Sequence, residues 1–180
     1  MPSSEIELNP VDFITVRPAG PKGQRVFHLQ AGKADMIVTL IIEKEQARAL
    51  SEAIHELIDD LSSRYPDRTS SGLRDPNLEL RDPLEPLFRV SQMGLGYDED
   101  RDLIVLVAQE LMSSSDEEDD DDDDDAGEEQ PPEPEGTEPG IVRLWCNRAQ
   151  MRALSDQAMS IVQSGRPDPR QNGRLVYYWT

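Results

Sequence analysis

Ten consecutive acids, Asp116 to Asp125, are the densest chemistry in this 180-residue chain. Glu128, Glu129, Glu133, Glu135 and Glu138 follow without an intervening Lys or Arg. Fifteen negative charges thus lie between 113 and 139, and since the whole chain carries −19, the remainder carries only −4. The extreme charge belongs to one segment, and the rest is an ordinary, mildly acidic domain. Carboxylates at this density attract basic proteins, mimic a polyanion, or gather divalent cations loosely through hard oxygens. A specific calcium loop needs spaced ligands and a turn glycine, and DEEDDDDDDD has neither. Self-repulsion and the lack of apolar residues predict disorder over 113–139, with PPEPEG favouring extended chain.

The other reactive groups are sparse. His28 falls in a predicted strand. His55 falls on the polar face of a predicted helix among Glu52, Glu56 and Asp59, so it reads as a surface residue. The single Cys146 excludes an intramolecular disulfide. Gly94-Leu95-Gly96 is not a phosphate loop, because no helix follows it, and no Walker, Rossmann, nucleophile-elbow or zinc-ligand spacing occurs. Arg166, Arg170 and Arg174 cluster just before Tyr177, Tyr178 and Trp179. Arginines beside aromatics can hold single-stranded nucleic acid, but a chain of −19 is repelled by phosphates, so the tail is expected to dock its aromatics on the body. No catalytic, cofactor-binding or metal-ligating residue is assigned, and no cofactor is expected.

The elements that would position such groups repeat. Residues 43–58, EKEQARALSEAIHELI, align with 147–162, NRAQMRALSDQAMSIV, at an offset of 104 positions, with five of sixteen residues identical: Gln46/Gln150, Arg48/Arg152, Ala49/Ala153, Leu50/Leu154 and Ser51/Ser155. Apolar positions 47, 50, 54, 57 and 58 map onto 151, 154, 158, 161 and 162, the stripe of an amphipathic helix in each copy. Asn147 with Gln150 three residues on is a capping box; Gly165 and Pro167 mark the end of the second helix, and the first is expected to run to about Ser62. Cys146 aligns with Ile42, which predicts a buried apolar site rather than a reactive thiol.

Strand-like runs precede each helix: Phe13 to Val16, Val26 to Ala31 and Met36 to Ile42, then Phe88 to Tyr97, Leu103 to Leu111 and Ile141 to Cys146. The expected fold class is α+β: two tandem βββα units related by an internal repeat, with antiparallel sheet or sheets packed on two helices about a pseudo-twofold axis. The chain reads as one duplicated domain over 1–180. Unit one spans about 11–62, a proline-rich connector 63–87, unit two about 88–165 containing the acidic insertion 113–139, and a C-terminal tail 166–180. No secretory signal opens the chain, and the longest apolar stretch, Met36 to Ile42, falls far short of the roughly 20 residues that span a bilayer. A cytoplasmic protein is expected.

These residues resemble a family of uncharacterised bacterial proteins, common in actinobacteria and described as conserved repeat proteins of unknown function. The resemblance lies in VFHLQAG (26–32), LIIEKEQARALSEAIHELID (40–59), FRVSQMGLGYD (88–98), MRALSDQAMSIVQSGRP (151–167) and PRQNGR (169–174). Members place a short cysteine-containing segment of zinc-knuckle type between GRP and PR-x-NG. Here only Asp168 separates Pro167 from Pro169, so the resemblance implies the fold but no metal site and no activity. The favoured function is a non-catalytic binding or regulatory scaffold, with 113–139 as the contact surface for a basic protein and no role for membrane or nucleic acid. The alternative is an enzyme with a dispersed polar site between the two units, for which His28, Arg48, Gln150 and Arg152 are the candidates.

Overall fold

A computed structural model describes residues 5–21, 23–67, 78–112 and 138–164. In chain order they form β1 (Glu5–Leu8), β2 (Phe13–Ala19), β3 (Val26–Lys33), β4 (Met36–Ile42), α1 (Lys44–Arg64), β5 (Pro86–Asp98), β6 (Leu103–Glu110), β7 (Ile141–Cys146) and α2 (Arg148–Gln163). β1 is additional to the runs expected from sequence. Its four residues, EIEL, are too few to display a period. The acidic residues 113–137, where disorder is expected, and Gly165 and the tail, where the end of the second helix is expected, lie outside the described residues.

Local chemistry accounts for the helix starts. Asn147 caps α2 by accepting from Gln150 N–H (2.7 Å) while the Gln150 side chain accepts from Asn147 N–H (2.9 Å). Glu43 starts α1 in the same way on the return side, its N–H donating to Gln46 Oε1 at 2.8 Å. α1 runs two residues beyond Ser62, to Arg64, and stops before Pro66, whose ring disfavours a helical residue ahead of it.

The fold is α+β, with seven strands in one sheet of order β1-β7-β6-β5-β4-β3-β2 and two helices. The expected antiparallel sheet is corrected here: the sheet is mixed. β4 lies parallel to β5, with Leu40 beside Phe88, and β1 lies parallel to β7, with Leu8 beside Leu144. Connectivity is the reason. Strands joined by a tight turn must be antiparallel, whereas α1 and the connector form a crossover long enough to return the chain to the same end before β5 pairs with β4.

The two edge strands, β1 and β2, are consecutive in the chain. Between them Val11 N–H donates to Trp145 O on β7 (2.8 Å) and Asp12 N–H to Gly32 O on β3 (2.7 Å), so one short segment bonds to the strand next to each edge. The sheet's ladders share a register. Val16, Leu29 and Leu40 lie side by side across β2, β3 and β4, and Leu95, Leu106 and Leu144 lie side by side across β5, β6 and β7.

One apolar cluster fills the interior, drawing Val16, Leu40, Ile104 and Leu144 from the strands and Leu50, Ile54, Met151 and Leu154 from the helices. The helices cross at Ser51 and Ser155. Each hydroxyl donates to the other residue's carbonyl at 2.9 Å, and the small side chains let the backbones approach. The described part of the connector is pinned to the outer face of β3, where buried Gln30 donates to Arg81 O (2.8 Å) and accepts from Arg81 N–H (2.7 Å). The Arg81 guanidinium stacks 3.8 Å over the Phe13 ring, and that ring lies against Gly32, where a Cβ would come within 2.2 Å of it.

Candidate functional site

The helical stripe next to the buried one on α1 is made of small and polar residues, Gln46, Ala49, Ala53, Glu56 and Asp60, and past Gln46 it is separated from β5 by a gap. The space left is a cavity of about 580 Å³, with Leu50, Leu57 and Leu106 as its apolar floor and Ser91 to Leu95 as its strand wall. The wall is an open strand edge. β4 stops pairing with β5 at Ile41 beside Arg89, so beyond that point only β6 flanks β5 among the described residues. Gln46 closes the start of this edge by donating to Val90 O (2.9 Å) and Ser91 O (3.3 Å).

Charge lies at the lip. Asp60 pairs with Arg64 at 3.0 Å, while Glu56 has no ion-pair partner among the described residues. Ser91 is the one hydroxyl on the lining, and it donates to the Gln109 and Glu110 carbonyls (3.2 Å each). The lining holds neither histidine nor cysteine, and its one hydroxyl is directed to backbone carbonyls rather than to a base. Among the described residues no three His, Cys, Asp or Glu side chains group to hold a metal.

The corresponding joint between α2 and β2 is closed. Gln150 donates to Val11 O (3.2 Å), as Gln46 does to Val90 O. Further along, buried Gln157 donates to Thr15 Oγ1 (2.8 Å) and to Leu78 O of the connector (3.2 Å), and its Oε1 accepts from Val16 N–H (3.3 Å). Ala53 stands 104 positions before Gln157 and brings no such group.

A second polar cluster seats the start of α2. The Arg148 guanidinium, 4% exposed, donates to Asp102 Oδ1 (2.9 Å) and to Tyr97 Oη (3.3 Å), and Tyr97 donates to Asp102 at 2.6 Å. Every member is engaged with another, so the cluster ties the β5–β6 turn to the helix rather than presenting a free group. On that turn, hydrogen bonding from the Arg101 side chain and then from its backbone holds the Asp98 carboxyl below its ordinary range.

The residues singled out from sequence do not converge. His28 is buried on β3 with Nδ1 2.9 Å from Val26 O. His55 is exposed, 3.6 Å from Asp156 on α2. Arg48 and Arg152 are exposed on separate helices, and Gln150 is a capping residue. Cys146 is fully buried, and burial pushes its thiol far up, which makes it inert. Gly94-Leu95-Gly96 lies inside β5 and lines the groove as strand. The Arg166, Arg170 and Arg174 cluster lies outside the described residues. Sequence reasoning missed Gln157 and Ala53; the one available signal was their mismatch within an otherwise similar pair of helices.

No curated protein and no solved structure matches the chain. Residues 6–172 match the family model described as Protein of unknown function (DUF3090). That match spans most of the chain, which therefore belongs to the DUF3090 family of proteins of unknown function.

Proposed function

We propose that this protein is a non-catalytic binding module made of two tandem βββα units, and that the groove between α1 and β5 is its ligand seat. The observation that carries this reading is the groove itself: an apolar floor and a strand edge with open backbone groups. An apolar floor beside an open main-chain edge suits the recognition of a ligand. The duplication is supported by the capping glutamines and the meeting of Ser51 with Ser155, each pair 104 positions apart, and by the matched ladder registers. Unit one then covers about 11–62 and unit two about 88–165, with the connector 63–87 between them.

The acidic run between 113 and 139 supplies a second contact surface, for a basic protein. Fifteen carboxylates act over a Debye length of about 8 Å at physiological salt, so the contact is electrostatic and screened. We read the chain as a bacterial, cytoplasmic protein that lacks its relatives' cysteine knuckle; among the described residues no helix is long and apolar enough to cross a membrane.

Uptake of the uncharged dye Nile red tests the seat. The wild-type chain should bind it with blue-shifted emission, and Ala53→Trp, which fills the groove from the helix side, should not. Equal uptake by both forms rejects the groove as a ligand seat. For the acidic run, deletion of 113–139 should weaken binding to polylysine and flatten its salt dependence while leaving Tm nearly unchanged; unaltered binding at every ionic strength rejects that surface.

A further inference from the structure

We infer that the occupant of the α1/β5 groove is a short extended peptide segment, laid along the open edge of β5 in the place that Gln157 and the Leu78 carbonyl fill beside β2. This occupant presupposes that the groove is a ligand seat, and it specifies the ligand's chemistry.

The two joints start alike and then diverge. Each begins with a capping glutamine holding a strand carbonyl, Gln150 on Val11 O and Gln46 on Val90 O. At the α2/β2 joint the edge is then satisfied from within the chain: Val16 N–H reaches Gln157 Oε1, and Thr15 Oγ1 donates to Leu78 O, which also accepts from Gln157 Nε2. The helix offset maps Gln157 onto Ala53, and the ladder registers map Thr15 onto Gly94 and Val16 onto Leu95. Ala53 carries no polar side chain. Gly94 carries none either, and a Cβ built there meets no atom within 4 Å. The groove therefore stands open where the other joint holds the Gln157 amide, the Thr15 hydroxyl and the Leu78 carbonyl.

A ligand that completes this edge must bring an amide oxygen for the strand N–H, as Gln157 does for Val16 N–H, and a donor for the strand carbonyl beyond the two that Gln46 holds. Leu95 pairs with Leu106 as Val16 pairs with Leu29, so its N–H is turned toward the groove. An extended main chain offers both groups at the strand's own repeat of about 3.4 Å per residue, and wall residues 91–95 accommodate about four or five residues of it. Its alternate side chains would rest on Leu50, Leu57 and Leu106. The Glu56 carboxylate at the lip, without an ion-pair partner among the described residues, favours a basic residue on the outer side.

The connector provides the probe. An acetylated, amidated peptide Leu-Glu-Leu-Arg-Asp, copying residues 78–82, carries a net charge of −1 and is not drawn to the acidic run. Titrated into the ¹⁵N-labelled full chain, it should shift amides grouped at Ala53 to Leu57 and Ser91 to Leu95 and slow exchange of the Leu95 amide. Replacing its central leucine by proline removes a main-chain donor and should weaken binding about tenfold. The double variant Ala53→Gln, Gly94→Thr rebuilds the polar groups of the other joint and should abolish the shifts while keeping the spectrum folded. Shifts elsewhere, equal binding of the proline peptide, or no binding at about millimolar concentration overturns the peptide assignment. Nile red separates the two levels of the reading. If the double variant excludes the dye but the peptide does not displace it, the groove is a seat for another ligand; if neither dye nor peptide responds to the double variant, groove and peptide fall together.

Discussion

Replacing Gln157 by alanine opens the α2/β2 joint and should destabilise the fold by an amount the geometry sets. Gln157 makes three contacts: to Thr15 Oγ1, to Leu78 O and from Val16 N–H. Leu78 O keeps Thr15 and Arg17 as donors, so it remains satisfied. Val16 is wholly buried, and its N–H is left without a partner on an edge that no other strand covers among the described residues. A buried orphaned donor costs about 1 to 3 kcal/mol and each lost bond about 1 kcal/mol, while releasing the glutamine rotamers offsets up to about 2 kcal/mol. The expected net loss is about 2 kcal/mol, a fall in Tm of about 4 to 8 °C for a chain of this size. Urea unfolding monitored by far-UV circular dichroism measures it. Gln157→Leu keeps most of the volume and still orphans Val16, so it should lose about as much as alanine. A loss below about 0.5 kcal/mol for both variants would refute the claim that Gln157 satisfies this edge.

Three further expectations concern other parts of the fold. Leu50 and Leu154 occupy equivalent buried places, 4% and 0% exposed, so Leu→Ala at either should cost about 2 to 5 kcal/mol in urea melts. Asp102→Ala takes the carboxylate away from the buried Arg148 cation and should cost about 2 to 4 kcal/mol, more than Arg148→Met, which removes the charge itself; the reverse order by thermal melts would sink this account. The Asp98 carboxyl is held low by Arg101, so its interaction stabilises the fold above the ordinary carboxylate range and is lost as pH falls through the depressed folded value. A ¹³C titration should place Asp98 below an ordinary aspartate and return it toward normal in Arg101→Ala, with no change between the two forms counting against the assignment.

Both helices were legible in the sequence because capping and amphipathic spacing act within a turn or two. Asn147 and Gln150 lie three residues apart, and the stripe from Ala47 to Ile58 needs no partner to be recognised. The matched segments also brought Cys146 to a buried site and Ser51 to the same level as Ser155, since equivalent positions in similar helices pack alike. The sheet's parallel pairings were not legible. Leu40 meets Phe88 and Leu8 meets Leu144 only after a crossover or the whole chain intervenes, and no residue pattern within a strand states which strand will lie beside it. The groove depended on tertiary structure most of all. Ala53 and Gly94 are unremarkable in sequence, and what makes them a site is the absence of the amide and hydroxyl that Gln157 and Thr15 bring to the other joint. A side chain's type is local information, whereas an unfilled volume is a property of every element around it.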